Sequence, residues 1–329
     1  MSWNWKGKHV LVTGAGGFIG SHLTEQLAVL GAKVRALVHY NAMGFCGWLD
    51  ESSVLEDIEV VAGEICDRDI VRQVMQDAQI VYHLAALIGI PYSYHAPLSY
   101  VHTNVEGTVN VLQVAREFGV ERVVHTSTSE AYGTAQYVPI DEAHPLQGQS
   151  PYSASKIAAD KLAEAFYLSF DLPVVTVRPF NTFGPRQSAR AIIPTIITQC
   201  LKGETLRLGN LHPTRDLNYV SNIVDGFLLA ASVSEVIGQT INLGSGREIS
   251  IGDLARLIAR LIGRSVSIEC EEKRVRPEKS EVERLVADST LARTLLNWKP
   301  TVDLEEGLKR TIEWMGKHLD RYRSEIYIL

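Results

Sequence analysis

At 329 residues with a net charge of −6, the chain is long enough for two lobes and has no basic field to attract nucleic acid. Hydrophobic residues make up 46%, yet no apolar run approaches the roughly 18 residues that span a membrane. Cys46, Cys66, Cys200 and Cys270 lack metal-ligand spacing, and Met1-Ser2-Trp3-Asn4-Trp5-Lys6 has no apolar signal core, so a cytoplasmic protein with reduced thiols and no metal is expected.

Val10-Leu11-Val12 reads as a first strand. It runs into Thr13-Gly14-Ala15-Gly16-Gly17-Phe18-Ile19-Gly20, and a helical pattern follows over 21–27. Short β-branched runs at 34–38, 58–61, 80–83, 120–127 and 174–179 alternate with helical patterns at 69–75, 104–118 and 153–170. That alternation predicts an α/β fold, a doubly wound parallel sheet of Rossmann-like type. After Pro179 the regularity breaks up. Residues 1–180 plus 218–246 are expected to form a dinucleotide-binding domain, and 181–217 plus 247–329 a smaller, discontinuous C-terminal α/β lobe.

Strand, glycine turn and helix together aim backbone N–H groups and the positive helix end at one spot, where a pyrophosphate can sit. Alone, spaced glycines are weak evidence. Tyr152-Ser153-Ala154-Ser155-Lys156 adds a phenol and an ammonium four residues apart, on one helix face. Lys156 is expected to lower the pKa of Tyr152 and so provide a phenolate base. Both motifs in this order resemble the extended short-chain dehydrogenase/reductases, in particular the nucleotide-sugar epimerases, dehydratases and decarboxylases. The resemblance extends over essentially the whole chain.

The resemblance implies a nicotinamide cofactor held by Gly14, Gly17, Phe18, Ile19 and Gly20, with Tyr152 and Lys156 against its ring. Leu84, Ala85 and Ala86 end a strand with small side chains that admit the dinucleotide, although tight packing alone would also explain them. Asn104 begins the next helix. Glu64 and Ile65 occupy the adenine-contacting place. At the end of the second strand the chain reads Leu37-Val38-His39-Tyr40-Asn41, without the acid common in NAD-preferring members. His39 could approach a 2′-phosphate and Asn41 a free ribose; NAD is favoured because no arginine stands there, with NADP left open.

Thr126-Ser127-Thr128-Ser129-Glu130-Ala131-Tyr132-Gly133 follows an apolar strand. Family resemblance places Thr128 beside Tyr152 on the sugar C4 hydroxyl. Glu130 resembles the carboxylate of 4,6-dehydratases and nucleotide-glucuronate decarboxylases, where a further step follows C4 oxidation; a solvated loop acid is the lesser alternative, because the residue follows a buried strand. Ser129 departs from the dTDP-glucose dehydratases, which carry Asp there; GDP-mannose dehydratases share Thr-Ser-Glu. The catalytic set expected is therefore Thr128, Ser129, Glu130, Tyr152 and Lys156.

Asn181, Arg186, Arg215 and Arg276 are the expected nucleotide-sugar ligands, guanidinium being suited to a diphosphate through paired donors. A surface ion pair is the alternative for each arginine alone. Segments 40–49, 90–95, 148–152 and 276–281 resemble bacterial NDP-N-acetylglucosamine 4,6-dehydratases of legionaminic acid biosynthesis; Tyr92, Tyr94 and His95 either line the substrate or pack the lobe interface. The implied reaction is 4,6-dehydration of a GDP- or UDP-linked N-acetylglucosamine. A 4-epimerase, a glucuronate decarboxylase and a non-catalytic dinucleotide sensor are the alternatives. Apolar residues on more than one face of 104–118 and 153–170, among them Val111, Leu112, Val114, Ala115, Leu162, Ala163, Ala165 and Phe166, lead to an expected homodimer through a four-helix bundle.

Overall fold

A computed structural model describes residues 4–322, so the expected lobe ends at 1–3 and 323–329 lie outside the described residues. In chain order, β1 (His9–Thr13), α1 (Phe18–Val29), β2 (Lys33–Val38), β3 (Glu59–Ala62), α2 (Arg68–Met75), β4 (Ile80–His83), α3 (Ile90–His95), α4 (Pro97–Tyr100), α5 (Gly107–Phe118), β5 (Arg122–Thr126), α6 (Pro151–Phe170) and β6 (Val174–Pro179) come first. There follow β7 (Asn181–Phe183), α7 (Ile192–Lys202), β8 (Thr205–Leu208), β9 (Thr214–Tyr219), α8 (Val220–Ser232), β10 (Thr240–Leu243), β11 (Glu248–Ser250), α9 (Ile251–Ile262), β12 (Ser267–Cys270), β13 (Arg284–Leu285), α10 (Thr290–Leu296) and α11 (Leu304–Lys317).

Seven strands form one parallel sheet in the order β10-β6-β5-β4-β1-β2-β3, the doubly wound architecture expected from the alternation. Side chains alternate across it with period two: Val10 and Val12 enter one core, Leu11 the other. Residues of α1 and α8 fill the first core; residues of α2, α5 and α6 fill the second. The chain winds outward from β1 to β3 and then returns to β4 on the other side of β1. This reversal opens a crevice at the carboxyl ends of β1 and β4, where ligands of such sheets bind.

The helix expected over 104–118 is wound differently. A π-helical stretch, Val101–Glu106, precedes α5, and Asn104 lies inside it rather than at a helix start. Such π segments are frequent at functional sites. Beyond β6, β9 pairs with β7 and β13 in parallel and with β11 antiparallel, while β8 pairs with β12. No helix among the described residues is long and apolar enough to cross a membrane.

Candidate active site

The glycine turn is shaped for close backbone approach. Gly14 has φ +70°, and a Cβ there would fall 2.8 Å from Ala85 N; one on Gly20 would fall 2.1 Å from Gly14 O. Gly17 N-caps α1 without a side chain, so Phe18 and Ile19 begin a helix whose first N–H groups no side chain covers. A polar chain ties this turn to β4. Thr108 Oγ1 donates to Asn104 O at 2.6 Å, so it accepts from His83 Nε2 at 3.0 Å. His83 Nδ1 then accepts from Thr13 Oγ1 at 2.9 Å, and Thr13 Oγ1 accepts from Leu84 N and Ala85 N, each at 3.2 Å. Burial holds the His83 ring neutral, with its pKa well below the usual imidazole range.

A second chain segment, 41–48, for which the sequence reading gave no position, crosses over the turn. Trp48 N donates to Gly16 O at 3.0 Å, and a Cβ on Gly16 would lie 2.5 Å from Cys46 O. Asn41 anchors that segment: Oδ1 accepts from Met43 N at 3.2 Å and Phe45 N at 3.0 Å, and Nδ2 donates to Phe45 O at 2.6 Å. Its amide is therefore engaged within its own loop, where a free ribose ligand was expected. His39 Nδ1 stands 2.7 Å from Glu64 Oε1, bringing an acid to the end of β2 from the loop after β3. Ile65 is buried, and a Cβ on Gly107 would meet its Cδ1 at 2.6 Å. Asn104 binds Leu87 N and O at 2.8 and 2.9 Å and Ser155 Oγ at 2.9 Å, so it ties the stretch after Leu84, Ala85 and Ala86 to α6.

Thr128, Ser129, Glu130, Tyr152 and Lys156 are all brought together and buried. Ser150 caps α6 through Ser153 N at 3.1 Å in a reciprocal capping box, and Pro151 sits at its first position, which fixes where Tyr152 emerges. Thr128 Oγ1 accepts from Glu130 N at 3.3 Å, which leaves its proton for the Tyr152 phenol, with which it is hydrogen-bonded. Groups other than Lys156 dominate the Tyr152 pKa. Burial raises that pKa above the ordinary tyrosine value, the Thr128 bond opposes the rise, and Glu130 and Asp160 add to it. Lys156 Nζ instead donates to Thr126 O at 2.6 Å, and burial pulls its pKa down to about 8 while Asp160 holds it up.

Arg215 and Arg276 also converge on this wall, with an acid that sequence reasoning missed. Glu281 Oε1 lies 3.5 Å from Arg215 Nη2 and 3.7 Å from Arg276 Nη1; the latter nitrogen is 4.0 Å from Glu130 Oε2. Arg276 Nη1 and Asn181 Oδ1 are buried without a hydrogen-bond partner. Two such orphans suit a polar ligand. Arg186 is not in this group: its guanidinium grips Glu25 at 2.8 and 3.0 Å and Ser21 at 3.2 Å, pinning its loop to α1. A different cation, Arg190, lies by Gly89 and Tyr100. A Cβ on Gly89 would fall 2.0 Å from its Nη1, and Tyr100 beside it packs edge-on against Tyr152, centroids 6.2 Å apart.

A glycine cradle at the switch point of a parallel sheet, with Thr128, Tyr152 and Lys156 beside it, is the arrangement of a dinucleotide-dependent short-chain dehydrogenase/reductase. The chain belongs to the extended short-chain dehydrogenase/reductase family of nucleotide-sugar enzymes: the family profile described as GDP-mannose 4,6 dehydratase matches residues 11–311. UDP-glucuronic acid decarboxylase 1 of Xenopus tropicalis is 32% identical over 98% of this chain and 75% of its own length. UDP-glucose 4-epimerase of Mycolicibacterium smegmatis is 33% identical over 92% and 97%. The crystal structure of DesIV (dTDP-glucose 4,6-dehydratase) from Streptomyces venezuelae with NAD and TYD bound aligns with a TM-score of 0.87 at 29% identity, over 95% of this chain and 98% of that one. Relatives of three different reactions thus match at similar identity.

Proposed function

We propose that the protein is an NAD-dependent nucleotide-sugar 4,6-dehydratase acting on a GDP- or UDP-linked N-acetylglucosamine, within a dinucleotide lobe (1–180 plus 218–246) and a sugar lobe (181–217 plus 247–329). The observation that carries this reading is Glu130, a carboxylate buried next to the Thr128–Tyr152 pair rather than solvated in a loop. An epimerase has no step for such an acid. The glycine turn fits a dinucleotide pyrophosphate because the first N–H groups of α1 carry no side-chain cap and point at one spot. NAD held by the glycine turn would take the C4 hydride and return it to C6 while C5 regains a proton from solvent, and its positive charge when oxidised would favour the phenolate form of Tyr152.

Tyr152 takes the C4 hydroxyl proton, with Thr128 orienting the hydroxyl. Once C4 is a ketone, the adjacent C5–H is acidic and Glu130 removes that proton. The C6 hydroxyl leaves as water, its proton coming from Glu130 or from a water near Ser129. Asn181, Arg215 and Arg276 meet the diphosphate and sugar, and burial of the whole set keeps the 4-keto species in place.

Glucuronate decarboxylation is the second reading, favoured by one observation: Arg276 stands at Glu130 and could meet a C6 carboxylate. Incubation with GDP- and UDP-N-acetylglucosamine and with UDP-glucuronate, followed by mass, separates them. Loss of one water from an N-acetylglucosamine donor supports dehydration; loss of carbon dioxide from the glucuronate donor overturns it.

The same reading includes a homodimer. Val111, Leu112, Val114, Ala115, Ala163 and Phe166 belong to the core against the sheet, so they are not free for a partner. Val101 in the π-helical stretch, Phe118 on α5, and Leu168 and Phe170 on α6 remain exposed, and these are the side chains proposed to pair.

A further inference from the structure

We infer that Asp160 is a positioning residue for the Tyr152–Lys156 pair: its buried carboxylate clamps α6 to the ends of β5 and β6 and serves as the counter-charge of the Lys156 ammonium. This rests on the reading of Tyr152 and Lys156 given above. Asp160 lies one helical turn beyond Lys156 and two beyond Tyr152, on the same face of α6. Three side chains from the sheet donate to it. His125 Nε2 does so at 3.0 Å to Oδ1, and Ser127 Oγ and Arg178 Nη2 to Oδ2, the latter at 2.7 Å. Arg178 Nε also donates to Ser127 Oγ at 3.1 Å, closing a ring of bonds across β5, β6 and α6.

His125 and Ser127 flank Thr126, whose carbonyl holds Lys156 Nζ, and Thr128 comes next in the chain. The clamp therefore sets the spacing of both Lys156 from Thr126 and Tyr152 from Thr128. A buried ion pair adds little net stability, and apolar residues of the same shape would hold these elements together as well. What they would not supply is negative charge beside a desolvated ammonium. The groups recorded against that ammonium are His83 from β4, His125 from β5 and Asp160 from α6, with Arg178 from β6 behind Asp160. Burial favours the neutral form of both histidines, so Asp160 is the anion that favours charged Lys156.

The test follows Lys156 directly by NMR of protein carrying ¹³C-labelled lysine, its signal assigned by loss in Lys156→Met, without need of substrate. In Asp160→Asn the titration midpoint is expected to fall by about one pH unit or more from its wild-type value. Should that variant fail to fold, Asp160→Asn/Arg178→Gln removes both members of the ion pair, leaves no uncompensated buried charge and is expected to show a smaller fall in the same direction, since the lost guanidinium partly offsets the lost carboxylate. Ser127→Ala loosens the clamp while keeping the charge, and its midpoint should stay in place. A midpoint unmoved in both the single and the double variant overturns the inference. A parallel acid shift in the alkaline limb of turnover would support it further, whereas wild-type protein inert toward every nucleotide sugar would sink the functional reading and leave the NMR result standing.

Discussion

Arg276 Nη1 is shared between two carboxylates, 4.0 Å from Glu130 Oε2 and 3.7 Å from Glu281 Oε1. An arginine that the sequence suggests as a diphosphate ligand thus stands at the acid proposed to do the C5 chemistry. With Arg215 also on Glu281, the two cations face two anions, so a diphosphate arriving here has to compete with Glu281 for both guanidinium groups.

Arg276→Gln should therefore lower kcat more than it raises KM. An interaction made mainly with bound substrate on its way to the transition state shows in kcat, whereas uniform grip on the diphosphate shows in KM alone. Loss of one charge-assisted contact corresponds to roughly 10- to 100-fold. Steady-state kinetics on the active donor decides it, and a pure KM effect would return Arg276 to the diphosphate.

Glu130→Gln keeps size and hydrogen bonding but removes the proton acceptor. Oxidation at C4 should survive while C5 deprotonation slows by roughly 100- to 10,000-fold. Reduced nicotinamide absorbance should accumulate after mixing with substrate, and solvent deuterium should enter C5 more slowly. Normal turnover would make Glu130 a structural acid and hand the site to the epimerase reading.

Tyr152→Phe removes the phenol and keeps the ring against Tyr100. Turnover should drop by roughly 100-fold or more while NAD binding, followed by equilibrium dialysis, stays near wild type. Binding lost together with turnover would point to a collapsed cofactor site instead.

Much of the fold was legible because its strands are short β-branched runs between helices, a pattern with one economical solution in a parallel sheet. The glycine turn and the Tyr152/Lys156 spacing are equally local signals. Glu281 was not legible: it reaches Arg215 across 66 positions of chain, and nothing near it in sequence marks it as buried. Asp160 had a signal in its four-residue spacing from Lys156, yet Lys161 and Glu164 nearby are exposed charges of the same kind. Arg186 misled because an arginine after Gly184-Pro185 reads the same whether it turns to a ligand or to Glu25 on α1.

Leu168, with 71% of its surface exposed, is the largest loose end on the outer face of α6. If that face pairs with a second copy, wild-type protein should sediment as a dimer at micromolar concentration and Leu168→Asp as a monomer. Wild-type monomer under those conditions would remove the bundle from the proposal.

The last expectation concerns pH and sets activity against stability. Lys156 has a folded pKa of about 8 against an ordinary 10.5, so the native chain loses this proton first. Between those values the unfolded chain binds more protons at this site, and stability from this group rises with pH across the window. Turnover should do the opposite, falling as pH climbs through about 8, because the neutral amine no longer puts a positive charge where the proposed dinucleotide and sugar meet. Cys200, whose thiol burial pushes up to about 11, works against the stability trend above pH 9, so the comparison has to be made as wild type minus Lys156→Met. Denaturant unfolding of both proteins from pH 7 to 10 should show the Lys156→Met advantage shrinking as pH rises. An advantage constant with pH would mean that Lys156 titrates at its ordinary value and that the alkaline limb of activity belongs to another group.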